Sequence, residues 1–393
     1  MSRPRVGFII QRYGREVLGG AEAICRDVAR RLVPHWQIEV LTTCALDHMT
    51  WENSYPPGES EDEGVTVRRF AVEEPRNVRR FNRHNEKTLL RFHTAEDERH
   101  WMDLQGPHSR TLQTYLSEHA RDYAGFVFFT YLYATVYESL DKMSKPFYLV
   151  PFAHDEPPVY LRLFEDVFRS PRGIAFCTEE ERRFIAGRFP FALPPSEVIG
   201  TGLDLPDEAD GERFRAKFNI HEPFMLYAGR IDESKGCDEL FKDYRTYREW
   251  AGEDHALSLV MAGSGRLTIP RRKGIHHVGV IRGQDKWDAM AAARCLVLPS
   301  HFESLSLVLL EAWAVGTPVL ANGLCRVSEG QCRRSGGGLS YRNSMEFCAA
   351  ADWLAHDGNL CTRLGRSGRE FVGRLYQWPR IVERYVAFMR FDQ

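Results

Sequence analysis

H-F-E-S-L-S-L-V-L-L-E-A-W-A-V-G-T-P-V-L-A-N, running from His301 to Asn322, holds two carboxylates, Glu303 and Glu311, with seven residues between them. The apolar run Cys295 to Ser300 just before it reads as a strand. Glu303 then falls in the loop after a strand, and Glu311 about two turns into the following helix. In an open parallel sheet, ligands bind beyond the carboxyl ends of the strands. The start of that helix offers unpaired N–H groups and a positive dipole end, which suit a phosphate. Ser304 and Ser306 are small and leave the approach open. A carboxylate on each side of a phosphate site suits a nucleotide-sugar, because sugar and ribose hydroxyls donate well to carboxylate oxygens.

Working outward, 393 residues exceed one ordinary core, so two domains are expected. The composition, 43% hydrophobic and 27% charged, is that of a globular chain. A net charge of −2 gives no global reason to expect nucleic acid as a partner. No apolar run approaches the length of a membrane span. Val6 to Ile10, after Met1 to Arg5, reads as a first strand and not as a signal peptide. The nine cysteines include no Cys-x-x-Cys pair, which points to reduced thiols and the cytoplasm. A peripheral contact with the inner membrane face stays open.

Strand and helix patterns alternate along the chain. The polar loop Gln11 to Leu18 leads to Gly19-Gly20, and Ile24, Cys25, Val28 and Leu32 then recur at helical spacing. Strands are expected at Gln37–Thr42, Val65–Phe70, Phe126–Thr130, Phe147–Val150 and Phe176–Thr178. Pro194 to Asp210, rich in proline, glycine and acidic residues, is the expected interdomain linker. A second alternation follows, with strands at Phe224–Ala228, Leu257–Ala262, His276–Val280, Leu296–Pro299 and Pro318–Ala321. Helices are expected between them, and the fold class is α/β, doubly wound. Glu73 to Tyr123 departs from the alternation. It carries Arg76, Arg79, Arg80, Arg83, Lys87 and Arg91, and reads either as a solvated helical insertion or as an acceptor or membrane-surface patch.

No Gly-x-Gly-x-x-Gly turn follows the first strand, and Walker, Gly-x-Ser-x-Gly and zinc-type patterns are missing. Gly263-Ser264-Gly265 follows a strand without the third glycine. With no Asp-x-Asp pair, charge on a leaving diphosphate must be met by side chains and helix N-termini. Tyr227 to Gly236, Y-A-G-R-I-D-E-S-K-G, supplies Arg230 and Lys235 from a turn made compact by Gly229 and Gly236. Arg binds phosphate oxygens bidentately and Lys acts as a movable point charge.

The Glu-x7-Glu element with its F-E-S-L-S-L and G-T-P-V-L-A-N flanks resembles the donor-site signature of glycosyltransferase family 4. The G-R-x-x-x-x-K-G pattern at Gly229 to Gly236 and the Gly19-Gly20-Ala21-Glu22 element resemble it too. The resemblance implies a GT-B fold of two facing Rossmann-like domains with an interdomain cleft. Residues 1–200 would form the acceptor-side domain and 201–375 the nucleotide-sugar domain. Residues 376–393 would be a helix crossing back to the first. It implies sugar transfer from a nucleotide diphosphate donor to a hydroxyl of a glycan, lipid-linked or small-molecule acceptor. The anomeric configuration would be retained and no metal or other cofactor needed.

In that scheme Arg230 and Lys235 stabilise the departing diphosphate, together with the backbone at Ser306 and Leu307. Glu303 orients the sugar and Glu311 the ribose. The Gly19-Gly20 backbone approaches the donor, and the backbone at Val280 meets the nucleobase. His154, in P-F-A-H-D-E-P-P, lies beside the reacting centre, and Asp155 is an acceptor candidate. No side chain is named as base, because the departing phosphate oxygen is often given that role. Val327 to Tyr341 departs from the family pattern, with Gln331, Arg333 and Arg334 where an acidic contact is usual. The alternatives are a nucleotide-sugar epimerase of the same fold and a non-catalytic partner subunit.

Overall fold

Among the described residues, fourteen strands lie in two sheets. The computed structural model describes residues 3–17, 19–252 and 255–391, so Met1, Ser2 and Leu18 of the reading above lie outside the described residues. The chain divides into a unit of Met1–Gly202 with Trp378–Gln393 and a unit of Leu203–Gln377.

The first sheet contains β1 (Arg5–Ile9), β2 (Gln37–Thr43), β3 (Gly58–Asp62), β4 (Val65–Phe70), β5 (Gly125–Phe129), β6 (Phe147–Val150), β7 (Gly173–Phe176) and β8 (Ser196–Val198). Their order is β3-β4-β2-β1-β5-β6-β7-β8. All neighbours run parallel except β3 and β4, a hairpin the sequence reading missed. The missed strand, G-E-S-E-D, has no apolar residue, since it covers the sheet edge in solvent. Central strands β5 and β6 are buried along their whole length, as continuous apolar runs in a parallel sheet should be.

Two expectations need correction here. Ser196–Val198, read as linker, pairs with β7 as the last strand, so the first unit continues to Gly202. Three residues after two prolines are too short for an apolar period to show. Arg76, read as part of a basic surface cluster, is turned inward. Its guanidinium bonds the Gln105 carbonyl at 2.5 and 2.9 Å and stacks 4.7 Å from the Trp51 ring. Burial lowers its pKa to about 10. The rest of the insertion forms helices Val78–Leu90, Ala95–Gln105 and Arg110–His119.

The final helix, Trp378–Phe388, packs on the first unit. The Tyr385 hydroxyl donates to Gly200 O at 2.9 Å and Arg384 pairs with Glu197 at 2.8 Å. A Cβ on Gly202 would fall 2.3 Å from the Trp378 ring, so this close approach needs glycine.

The second sheet contains β9 (Phe224–Ala228), β10 (Ser258–Ala262), β11 (Ile275–Gly279), β12 (Cys295–Leu298), β13 (Val319–Asn322) and β14 (Gly338–Tyr341). Its order is β11-β10-β9-β12-β13-β14, all parallel. The chain winds outward from β9 through β10 and β11, then returns to start the other half at β12. The switch point therefore lies between β9 and β12, and the one in the first sheet between β1 and β5. The helix after β12, Leu307–Ala314, places Glu311 just over one turn in, not two.

Candidate functional site

In the second unit, the loops after β9 and β12 flank the switch point, and Arg230, Lys235 and Glu303 stand on them. The Tyr227 hydroxyl on β9 donates to the Arg230 carbonyl and folds the turn. The neighbouring loop after β10 is zipped to it by Gly229 N–H to Ala262 O and Ile231 N–H to Ser264 O, both 3.0 Å. A Cβ on Gly263 would fall 1.8 Å from Gly229 O, and one on Gly265 2.0 Å from Ile231 O. Gly263-Ser264-Gly265 is thus spent on close loop packing. The Asp232 side chain caps the Glu233–Lys235 turn and lies 3.4 Å from Arg230 Nε. Gly236 has φ +72°, and a Cβ there would meet the Pro299 carbonyl at 2.4 Å. That contact seats the lysine turn against the end of β12.

Lys235 Nζ lies 2.8 Å from Glu303 Oε1, bridging the switch point. The pair is 30% and 14% exposed. Pairs open to water typically contribute about 0–1 kcal/mol, so stability alone is a weak reason for it. A ligand bearing phosphate and hydroxyl groups can exchange with both partners at little cost. Glu311 is paired with Lys286, a residue the sequence reading missed. G-Q-D-K-W carries no motif, and only the approach of the helix Gln284–Ala292 to Leu307–Ala314 brings the lysine there.

Ser306 is the buried N-cap of the eight-residue helix Leu307–Ala314, with no capping bond from its side chain. By helix geometry the first-turn N–H groups, starting at Leu307, have no intrahelical acceptor. Ser304 stands in the same loop, and Val280 follows β11, half exposed. Asn322, the last residue of the stretch quoted first, is buried and donates to Pro299 O at 3.0 Å, so it braces the loop. A separate pocket of about 440 Å³ is lined by Phe241, Tyr244, Arg245, Arg248, Arg272 and Ile275, among others. It opens where β11 begins, at the opposite sheet edge, and does not contain the two glutamates.

In the first unit, Gly19 caps the helix Gly20–Leu32, and a Cβ on it would fall 2.0 Å from Glu22 Oε2. Gly20 has open space around it. Buried Glu22 accepts from Gln11 Nε2 at 2.9 Å and Arg12 Nη2 at 2.5 Å. Thr130 Oγ1 donates to Gln11 Oε1 at 3.3 Å, tying the loops across this switch point. Thr130 and Phe152 hold positive φ of 70° and 51° just past β5 and β6, where backbone strain commonly marks a working surface. His154 Nδ1 lies 3.3 Å from Glu156 Oε1, which also accepts from Tyr131 OH at 2.9 Å. Asp155 is exposed and accepts from Tyr160 OH at 2.7 Å.

The loop bearing His154 rests on a carboxylate. Buried Glu181 accepts Ala153 N–H at 2.6 Å and Cys177 N–H at 2.7 Å, one on each oxygen. It is the third residue after its cap Thr178, the place a capping glutamate occupies, so T-E-E-E was the missed signal. Burial pushes its pKa from 4.5 up to about 8, against the pull of its N–H donors. A folded-state pKa raised in this way makes the native state hold the proton longer. The stability from this group is full below 4.5 and is lost as pH rises through about 8. Denaturant titrations across that range should therefore show a steeper decline for the unmodified protein than for Glu181→Gln. Parallel curves would contradict it.

Known proteins bear on this geometry. Residues 210–371 match the family model of Glycosyl transferases group 1. That span contains Arg230, Lys235, Val280, Glu303, Ser304, Ser306, Leu307 and Glu311. A D-inositol 3-phosphate glycosyltransferase of Xylanimonas cellulosilytica is 29% identical over 40% of this chain and 42% of its own. A GDP-mannose-dependent alpha-(1-6)-phosphatidylinositol monomannoside mannosyltransferase of Mycobacterium tuberculosis is 26% identical over 53% of this chain and 60% of its own. The chain thus spans about half the length of these relatives. Sucrose-phosphate synthase of Thermosynechococcus elongatus superposes with a TM-score of 0.70 at 17% identity, covering 97% of both chains. Anabaena HepE in complex with UDP and glucose gives 0.69 at 13% identity, covering 98% of this chain and 99% of its own. The fold is GT-B, with a Rossmann-like parallel sheet in each unit.

Proposed function

We propose that the chain is a retaining glycosyltransferase of family 4 that moves a sugar from a nucleoside-diphosphate donor to an acceptor hydroxyl. The observation that carries the reading is the Lys235–Glu303 pair across the switch point, with Glu311 just over one helical turn into Leu307–Ala314. The match of residues 210–371 and the kinds of protein it resembles support it.

In this reading the bond from the sugar anomeric carbon to the diphosphate oxygen breaks as the acceptor oxygen bonds to that carbon. The acceptor proton passes to the departing phosphate oxygen. Arg230 and Lys235 meet the growing negative charge, with the N–H groups at Ser306 and Leu307. Ser304 leaves room beside the phosphate. Glu303 orients the sugar hydroxyls, Glu311 holds the ribose and the Val280 backbone meets the base. Gly19 and Gly20 serve the donor from the first unit, and His154 and Asp155 serve the reacting centre and the acceptor.

Charge is met by side chains, so the reaction is assigned as metal-independent. Among the described residues no group of three or more histidine, cysteine or carboxylate side chains is disposed to hold a metal. No helix among them is long and apolar enough to cross a membrane. All nine cysteines are free and buried, which supports a reducing compartment such as the cytoplasm.

A thermal-shift panel of nucleoside diphosphates and their sugars tests the donor, because ligand binding raises apparent stability. One nucleotide and its sugar should stand out. With that donor, diphosphate release should persist in a strong chelator. Loss on chelation, restored by magnesium or manganese, would overturn the metal-independent mechanism. No shift with any nucleotide would overturn the donor site.

A further inference from the structure

The helix Val78–Leu90 is two-faced. Its inner side is anchored by Phe81 on the Trp101 ring at 5.9 Å, by Asn85 accepting Trp101 Nε1 at 2.7 Å, and by buried Thr88. These positions recur every three to four residues, so the side chains between them point outward. On that outer side Arg79, Arg80 and Arg83 are all exposed, with Glu86 the one carboxylate among them. Lys87 is taken up by Asp97 at 2.8 Å. The helix ends in Leu90, and Arg91 and Phe92 follow it, exposed. Leu90 is 72% and Phe92 107% exposed, so a leucine and a phenylalanine two residues apart stand in water beside arginines.

Scattered exposed apolar residues need no explanation. Here two large ones cap a basic helix face, and the two features select the same partner. Arginines attract an anionic surface, while Leu90 and Phe92 gain by leaving water. A bilayer with anionic headgroups offers both within a few ångströms of depth. Nucleic acid would use the charge but gives Leu90 nothing to bury against.

We infer that Arg79, Arg80, Arg83 and Arg91, with Leu90 and Phe92, form a docking surface for an anionic lipid bilayer. The inference is independent of the donor chemistry proposed above, since none of these residues is assigned to the transfer site. Arginines bind the headgroup phosphates and the two apolar side chains enter the acyl boundary. The surface holds the protein on the membrane reversibly.

Co-sedimentation of the full chain with vesicles tests it. The protein should pellet with phosphatidylcholine vesicles containing phosphatidylglycerol, less so as salt is raised, and not with phosphatidylcholine alone. A basic residue near such a surface adds roughly fivefold in affinity, so Arg79→Glu, Arg80→Glu and Arg83→Glu together should cost at least about 100-fold. Leu90→Ser with Phe92→Ser should cost at least about tenfold, from lost apolar burial. Both variants should melt like the parent, because every replaced side chain is exposed. Failure to pellet with anionic vesicles, equal pelleting with neutral ones, or parental affinity in either variant would overturn the inference. So would tight binding of single-stranded RNA in place of vesicles.

Discussion

Lys235→Ala, and separately Arg230→Ala, should lower sugar transfer at saturating donor by at least about 100-fold, with the fold unchanged by circular dichroism. In the proposed reaction both cations meet charge that grows as the sugar–phosphate bond breaks. An interaction stronger in the transition state than in the ground state shows in turnover, not only in affinity. Hundredfold is about 2.7 kcal/mol of barrier. The Lys235–Glu303 pair is 30% and 14% exposed, and surface ion pairs typically contribute about 0–1 kcal/mol to folding. The effect on rate should therefore far exceed the effect on stability. Diphosphate release with acceptor measures it, or slow donor hydrolysis if the acceptor is not in hand. Near-normal turnover in both variants would mean that the loops serve another purpose. No turnover by the parent across donors, despite tight nucleotide binding, would favour a non-catalytic subunit.

Glu311→Ala should weaken binding of the free nucleoside diphosphate by about 10- to 100-fold, the cost of losing the one charge-assisted hydrogen bond proposed to the ribose. Glu303→Ala leaves that binding nearly intact and lowers transfer instead, because its proposed partner, the sugar, is missing from the diphosphate. The structure adds a reason for the contrast. Glu311 is held by Lys286 on a neighbouring helix, so its carboxylate is already oriented, whereas Glu303 is tied to Lys235, the proposed phosphate ligand. Calorimetry with the diphosphate alone separates the two roles. Equal loss in both variants would end the division of labour between the glutamates.

What could be read from the chain was local. Apolar runs such as Phe224–Ala228 and Cys295–Leu298 bury both faces, so composition alone marks them as strands of a parallel sheet. Gly236 could be read because a left-handed turn leaves glycine its clear choice, and the structure places it at φ +72°. The Glu-x7-Glu spacing could be read because a loop and the helix it enters are continuous in sequence. Ser196–Val198 and the β3 edge were missed for the converse reason: they are short or polar, and only their partner strands make them strands.

Tertiary structure alone decided which side chains meet. Strand order puts β12 beside β9, and so brings Lys235 to Glu303 across 68 positions of chain. The same holds for Lys286 at Glu311 and for Glu181 beneath the loop of His154. It also turned Arg76 inward among Trp51, Phe81 and Gln105, while leaving Arg79, Arg80 and Arg83 in water. Residue type and spacing specify what a side chain can do. Its partner is specified by packing, which joins residues that the sequence keeps far apart.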